Sequence, residues 1–212
     1  MKTADLIVAL AADAPVTPPA PVTRSILLAC AVGAAVALAA LVAWLGLRPL
    51  GEAILARAFW MKAGYTATLG VAGLLLVARL ARPAGRVGRL SVILGAAVAV
   101  MITLSALEMA RTPPGHMRGL WMGQTWAVCS LRIVVLAAPV YAAAIWALRR
   151  LAPTRLALAG GAAGLLAGAV GATVYGLYCQ ESAATFVVTW YTLGVAVAAG
   201  LGALIGSHLL RW

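Results

Sequence analysis

Residues 178–191 read Tyr178-Cys179-Gln180-Glu181-Ser182-Ala183-Ala184-Thr185-Phe186-Val187-Val188-Thr189-Trp190-Tyr191, the shortest polar break between long apolar runs. The runs on either side, 156–178 and 183–206, each reach the roughly 20 residues that a helix needs to cross a bilayer. The break therefore turns one membrane helix directly into the next, with Cys179 and Glu181 at the turn. Four further runs of the same kind precede them, at 26–47, 59–80, 90–110 and 126–148. The fold class that follows is all-α: a polytopic membrane protein with six transmembrane helices and a short N-terminal segment.

Composition agrees with this reading. Of the 212 residues, 64% are hydrophobic and only 10% charged, with a mean hydropathy of +1.02. Soluble domains are far more polar, so lipid is the solvent for most of the chain. A net charge of +11 would suggest a nucleic-acid partner in a soluble protein. Here the arginines sit between the apolar runs, where they act as topology signals, and direct nucleic-acid binding is discounted.

Six spans put both termini on one side. With the termini in the cytoplasm, Lys2, Arg24, Arg79, Arg82, Arg86, Arg89, Arg149, Arg150, Arg155 and Arg211 lie inside. Arg48, Arg57, Lys62, Arg111, Arg118 and Arg132 then lie outside. This distribution follows the positive-inside rule. It places loops 48–58, 111–125 and 179–182 outside, and with them Cys129 and Cys179. Trp60 and Tyr65 read as interfacial aromatics, and Lys62 as a side chain that snorkels to the headgroups.

Residues 1–24 form a cytoplasmic segment ahead of a six-helix domain, 25–212. Thr3 to Ala12 suits a short helix with Asp5 near its start and Leu6, Ile7 and Leu10 on one side. About ten residues is too few for a stable isolated helix, so it is expected to fold against a partner. Pro15, Pro18, Pro19 and Pro21 then predict an extended linker. The run at 26–47 reads as an anchor that stays in place, since a cleaved signal peptide has a shorter apolar core.

The last two spans carry stripes of small residues: Gly160, Gly164, Gly168, Ala172 and Gly176 in one, Gly194, Ala198, Gly202 and Gly206 in the other. Such stripes let helix backbones approach closely in lipid. The two spans are expected to form a tight hairpin with Cys179 at its tip. A glycine-lined substrate path is disfavoured because neither span carries a charge within it.

Little catalytic chemistry is available. Arg132 and Glu108 lie near the outer ends of their spans and read as a structural ion pair, with Glu181 as a competing acid. Cys129 and Arg132 are three residues apart and share a helical face, so the cation is expected to activate the thiol. Trp126 opens the same turn. Cys30 lies inside an apolar run and reads as a packing residue. His116, with Met117 or Met122, is a candidate to join two thiolates around a metal, although a lone loop histidine is more often just solvated. There is no phosphate-binding loop, no catalytic carboxylate pair and no nucleophile with a base at motif spacing, and nothing argues for an enzyme. No cofactor is required. A membrane thiol oxidoreductase would need a closely spaced cysteine pair, and a small transporter would need intramembrane charges in matching broken helices.

Several local stretches carry a resemblance. These are Met-Lys-Thr-Ala-Asp-Leu-Ile at the start, Phe59-Trp60-Met61-Lys62, Gly123 with Trp126 and Cys129, Leu148 to Arg155, Cys179 with Glu181 and Ser182, Trp190 to Gly194, and the final Leu-Leu-Arg-Trp. Their order and spacing resemble the NrsF family of six-span bacterial inner-membrane negative regulators of extracytoplasmic-function (ECF) sigma factors. The resemblance implies a cytoplasmic face that holds an ECF sigma factor inactive, with Asp5, Leu6, Ile7 and Leu10 as candidate partner-binding residues. It also implies that Cys129 and Cys179 sense a metal or an oxidising stress, with a thiophilic metal ion as a candidate signal.

Overall fold

The structure, a computed structural model, describes residues 3–12, 20–82, 85, 87–151 and 153–211. Lys2, Pro15, Pro18, Pro19, Arg86 and Trp212, used above, lie outside the described residues. Among the described residues there are helices and turns and no strand. In chain order the helices are α1 (Thr3–Ala12), α2 (Ala20–Trp44), α3 (Leu50–Leu55), α4 (Arg57–Leu80), α5 (Leu90–Arg111), α6 (Met117–Met122), α7 (Trp126–Leu148) and α8 (Leu156–Gly176). The last span starts as α9 (Ala184–Phe186), passes through a π-helical stretch (Val187–Tyr191) and continues as α10 (Thr192–Leu209).

Six of these helices are long and apolar enough to cross a membrane, where the apolar runs place them. The ends differ in detail. α2 begins at Ala20, so Pro21 lies in its first turn and not in an extended linker. Proline is tolerated there because the first helical amides have no intrahelical partner anyway. The loops at 48–58 and 111–125 are partly helical, holding α3 and α6.

α8 is the centre of the bundle. Its apolar stretch is 67% buried within the protein, against 17% for α5. α10, α4 and α7 pack around α8, and α2 packs on α7. α5 leans on α4 and on the start of the last span, and buries only Leu90, Met101 and Ser105. The hairpin expected from the small-residue stripes is present. A methyl group on Gly160 or Gly164 would run into the backbone of Gly202 and Gly206 or of Ala198 and Ala199. Without a hydrophobic driving force between helices in lipid, this contact works through dispersion at short range. Interhelical hydrogen bonds add direction: Tyr141 to the Gly202 carbonyl at 2.8 Å, Tyr65 with Thr192 at 2.6 Å and Thr173 to Thr66 at 2.9 Å.

This packing separates two kinds of glycine. Gly164→Leu is expected to lower stability in detergent by about 1–3 kcal/mol or more, since the opposing atoms are backbone and cannot rotate away. Gly95→Ala in α5, whose new methyl would meet nothing within 4 Å, should be neutral or stabilising by up to about 1 kcal/mol. Thermal unfolding of the two variants checks this, and equal melting temperatures would refute the packing argument.

Candidate functional site: a buried thiol pair at one end of the bundle

The start of α7 and the end of α8 meet at the same end of the bundle. Cys129 lies in the first turn of α7, its amide bonded to the Thr125 carbonyl at 2.9 Å. Cys179 follows α8, its amide bonded to the Tyr175 carbonyl at 3.0 Å. Both are free thiols, 0% and 1% exposed, in one core cluster with Tyr175, Phe186, Val187 and Tyr191. They are buried beneath the end of the bundle and not displayed at its surface. The two thiols lie within electrostatic reach of each other and of Lys62.

Lys62 organises the turn beside them. It is 3% exposed, and its Nζ donates to the carbonyls of Cys179 at 2.9 Å and Glu181 at 2.6 Å. The snorkelling lysine expected from the sequence is thus directed inward. Carbonyls just past a helix C-terminus carry partial negative charge, which gives a buried cation a partner without a carboxylate. Arg48 adds a bond from Nη1 to the Cys179 carbonyl at 3.2 Å, with its guanidinium carbon 5.1 Å from the Phe59 ring centroid.

Glu181 performs the opposite task on α7. Its Oε1 accepts from the amides of Gln124 at 2.6 Å and Thr125 at 3.2 Å. A carboxylate there satisfies two amides just ahead of α7 and meets the positive end of its dipole. Gly123 makes room: its φ is +50°, and an added Cβ would lie 2.6 Å from the Glu181 carboxyl carbon. Residues 179–181 therefore clamp the end of α8 to the start of α7, with Lys62 of α4 as the third point.

Aromatic residues close the site. The Tyr191 hydroxyl, fully buried, lies beside Cys179 and that of Tyr175 beside Cys129. Trp126 and Trp190 pack with ring centroids 5.5 Å apart. Ser130 Oγ donates to the Trp190 carbonyl at 2.8 Å, and Trp190 Nε1 donates to the Trp121 carbonyl at 2.9 Å. A polar cavity of about 400 Å³, lined by Gln124, Thr125, Tyr178, Gln180 and Glu181, flanks Cys179.

Three sequence expectations are corrected here. Arg132 does not pair with Glu108; its guanidinium sits over the Tyr178 ring, 5.5 Å from the centroid. Glu108 Oε2 accepts from Thr185, from its amide and its hydroxyl, both at 3.0 Å, and so caps α9. The cation near the thiols is consequently Lys62, with Arg132 turned to an aromatic face. His116 is exposed on its loop, and among the described residues no three of His, Cys, Asp and Glu gather as a metal-holding group. Cys30 is partly buried against the second core cluster, away from the pair. Sequence reasoning missed the inward role of Lys62 and the places of Tyr175, Thr185 and Ser130.

The family described as "Negative regulator of sigma F" (NrsF) matches residues 10–212. Two curated relatives align over the full length of both chains. "Anti-sigma-F factor NrsF" of Caulobacter vibrioides (strain NA1000 / CB15N) is 48% identical over 216 residues, and "Probable anti-sigma-F factor NrsF" of Azospira oryzae (strain ATCC BAA-33 / DSM 13638 / PS) is 41% identical over 213. No solved structure matches.

The clamp yields a direct expectation. Glu181→Ala removes the acceptor of the Gln124 and Thr125 amides, a loss of about 0.5–1.5 kcal/mol, and Gly123→Ala forces a side chain into the carboxylate. Both should raise the rate at which maleimide labels Cys129 and Cys179 in membranes, several-fold or more. Gln180→Ala, on the exposed rim, should leave the rate unchanged. Labelling of the Glu181 and Gly123 variants at the native rate would show that the clamp does not guard the thiols.

Proposed function

The chain belongs to the NrsF family, the negative regulators of sigma F, and from that premise we propose that it holds an ECF sigma factor inactive at the bacterial inner membrane. Release follows when a metal or oxidant in the periplasm acts on Cys129 and Cys179. The family is regulatory, so the chain is not an enzyme. The thiol oxidoreductase and transporter readings fall away with that membership.

The observation that carries the sensing half is the buried thiol pair, joined to three helices by Lys62 and Glu181. Two thiols in one buried cluster have two reactions open to them. An oxidant can remove two electrons and two protons to leave a disulfide, or a thiophilic cation can displace the protons and bind both sulfurs. Either event draws the start of α7 toward the end of α8. Arginine placement favours both termini in the cytoplasm and the pair on the periplasmic side.

The holding half rests on α1. Leu6, Ile7 and Leu10 are 43%, 62% and 65% exposed, an apolar surface suited to a groove on a protein partner, with Asp5 in the first turn. Burying a leucine contributes roughly 1.5–3 kcal/mol. Leu6→Asp or Leu10→Asp should therefore weaken the complex at least about tenfold and leave the regulon on, as should deletion of residues 2–14. Co-purification of the sigma factor with the full chain reads this directly. Persistence of the complex after the deletion would place the holding surface on the arginine-rich loops instead.

The signal is tested separately. Cys129→Ser and Cys179→Ser should each abolish induction, the double variant matching either single one, while Cys30→Ser retains it. Coupling of this type is typically worth about 5- to 150-fold in affinity. Normal induction in either single variant would overturn the sensing role, and labelling only from the cytoplasmic side by an impermeant maleimide would overturn the topology.

A further inference from the structure

In an α-helix each carbonyl accepts from the amide four residues on, and a π turn inserts one residue and breaks that ladder; such turns recur at functional sites. The π-helical stretch Val187–Tyr191 interrupts the last span beside the thiols, with Val187 and Tyr191 in the same core cluster as Cys129 and Cys179. From α7, Ser130 Oγ donates to the Trp190 carbonyl at 2.8 Å. Ser130 is the residue after Cys129.

The two sides of this stretch are held unequally. On the α10 side, Gly202 and Gly206 meet the α8 backbone, and Tyr141 binds the Gly202 carbonyl at 2.8 Å. On the α9 side, Thr185 is held by Glu108, and its hydroxyl also accepts from Ser105 at 3.0 Å. Glu108 and Ser105 belong to α5, the least buried span. An apolar groove of about 510 Å³ opens between α5 and α4.

We propose that the π-helical stretch is a two-register element, held in its present register by Ser130, which converts the state of Cys129 and Cys179 into a movement of α5. This rests on the reading of those cysteines as the sensing pair. If the π turn closes to α, one side turns by about 100° and shifts by about 1.5 Å relative to the other. α10 cannot turn without driving Cβ atoms into the α8 backbone. The change therefore falls on Ala184–Phe186 and, through Thr185 and Glu108, on α5. Drawing Cys129 toward Cys179 displaces Ser130 and removes the bond that favours the open register. α5 begins at Leu90, at the end of the bundle away from the thiols, so its movement arrives where the sigma factor is held.

Deleting Val188 tests this in the full chain, in cells with its sigma factor and a sigma-dependent reporter. The deletion takes out the inserted residue and lets the span close as α with neither end moved. The variant should accumulate and repress, and diamide should still oxidise Cys129 and Cys179 to a disulfide, being itself reduced to the hydrazine. Induction should nevertheless fall at least about fivefold. Full induction with the cysteines oxidised would overturn the proposal. Ser130→Ala gives a second measurement that needs no trigger and decides the matter if the deletion variant fails to accumulate. It should raise the uninduced reporter about fivefold or more, and an unchanged reporter would overturn the proposal. Loss of the sensing role would show separately, as normal induction in Cys129→Ser or Cys179→Ser, while the Ser130→Ala prediction would stand or fall by itself.

Discussion

The contact of α8 with α10, backbone against backbone through Gly160, Gly164, Gly202 and Gly206, is what the rest of the bundle is referred to. In water such a contact would be minor beside hydrophobic burial. In lipid the apolar side chains gain little by leaving one apolar medium for another, and close approach decides which helices stay together. α4 and α7 pack on α8, and α2 packs on α7. α5, with no comparable contact, is left at the edge.

On this frame the thiol end is held by charge as well as by packing. The buried cation of Lys62 meets the carbonyls that follow α8, and the carboxylate of Glu181 meets the amides that open α7. Each charge is paired with the dipole of a helix end, which is why neither needs the other within ion-pair distance. The arrangement holds three helices through three residues, 179–181.

The spans were legible because a bilayer demands a length of apolar sequence that chance seldom supplies, and the small-residue stripes because their period matches the helix. The two cysteines stood out by lying beside polar breaks. What the sequence concealed was the direction of the charged side chains. Lys62, near the start of its span, has the position of a snorkelling lysine, and its true acceptors are main-chain carbonyls more than a hundred residues away, which no side chain signals. Arg132 and Glu108 look like partners by position along their helices, yet Tyr178 and Thr185 capture them first. The π turn has no sequence mark.

The Lys62 contact also bears on how the chain is made. Its acceptor, the Cys179 carbonyl, lies 117 residues further along. At a synthesis rate of about 5–20 residues per second, the carbonyl follows the lysine out of the ribosome by roughly 6–23 seconds. For that interval α4, the least hydropathic of the six spans at 1.5, carries a cation whose final partner does not yet exist. The lysine of nascent α4 is therefore expected to stay at the headgroup level until the last hairpin brings its acceptor.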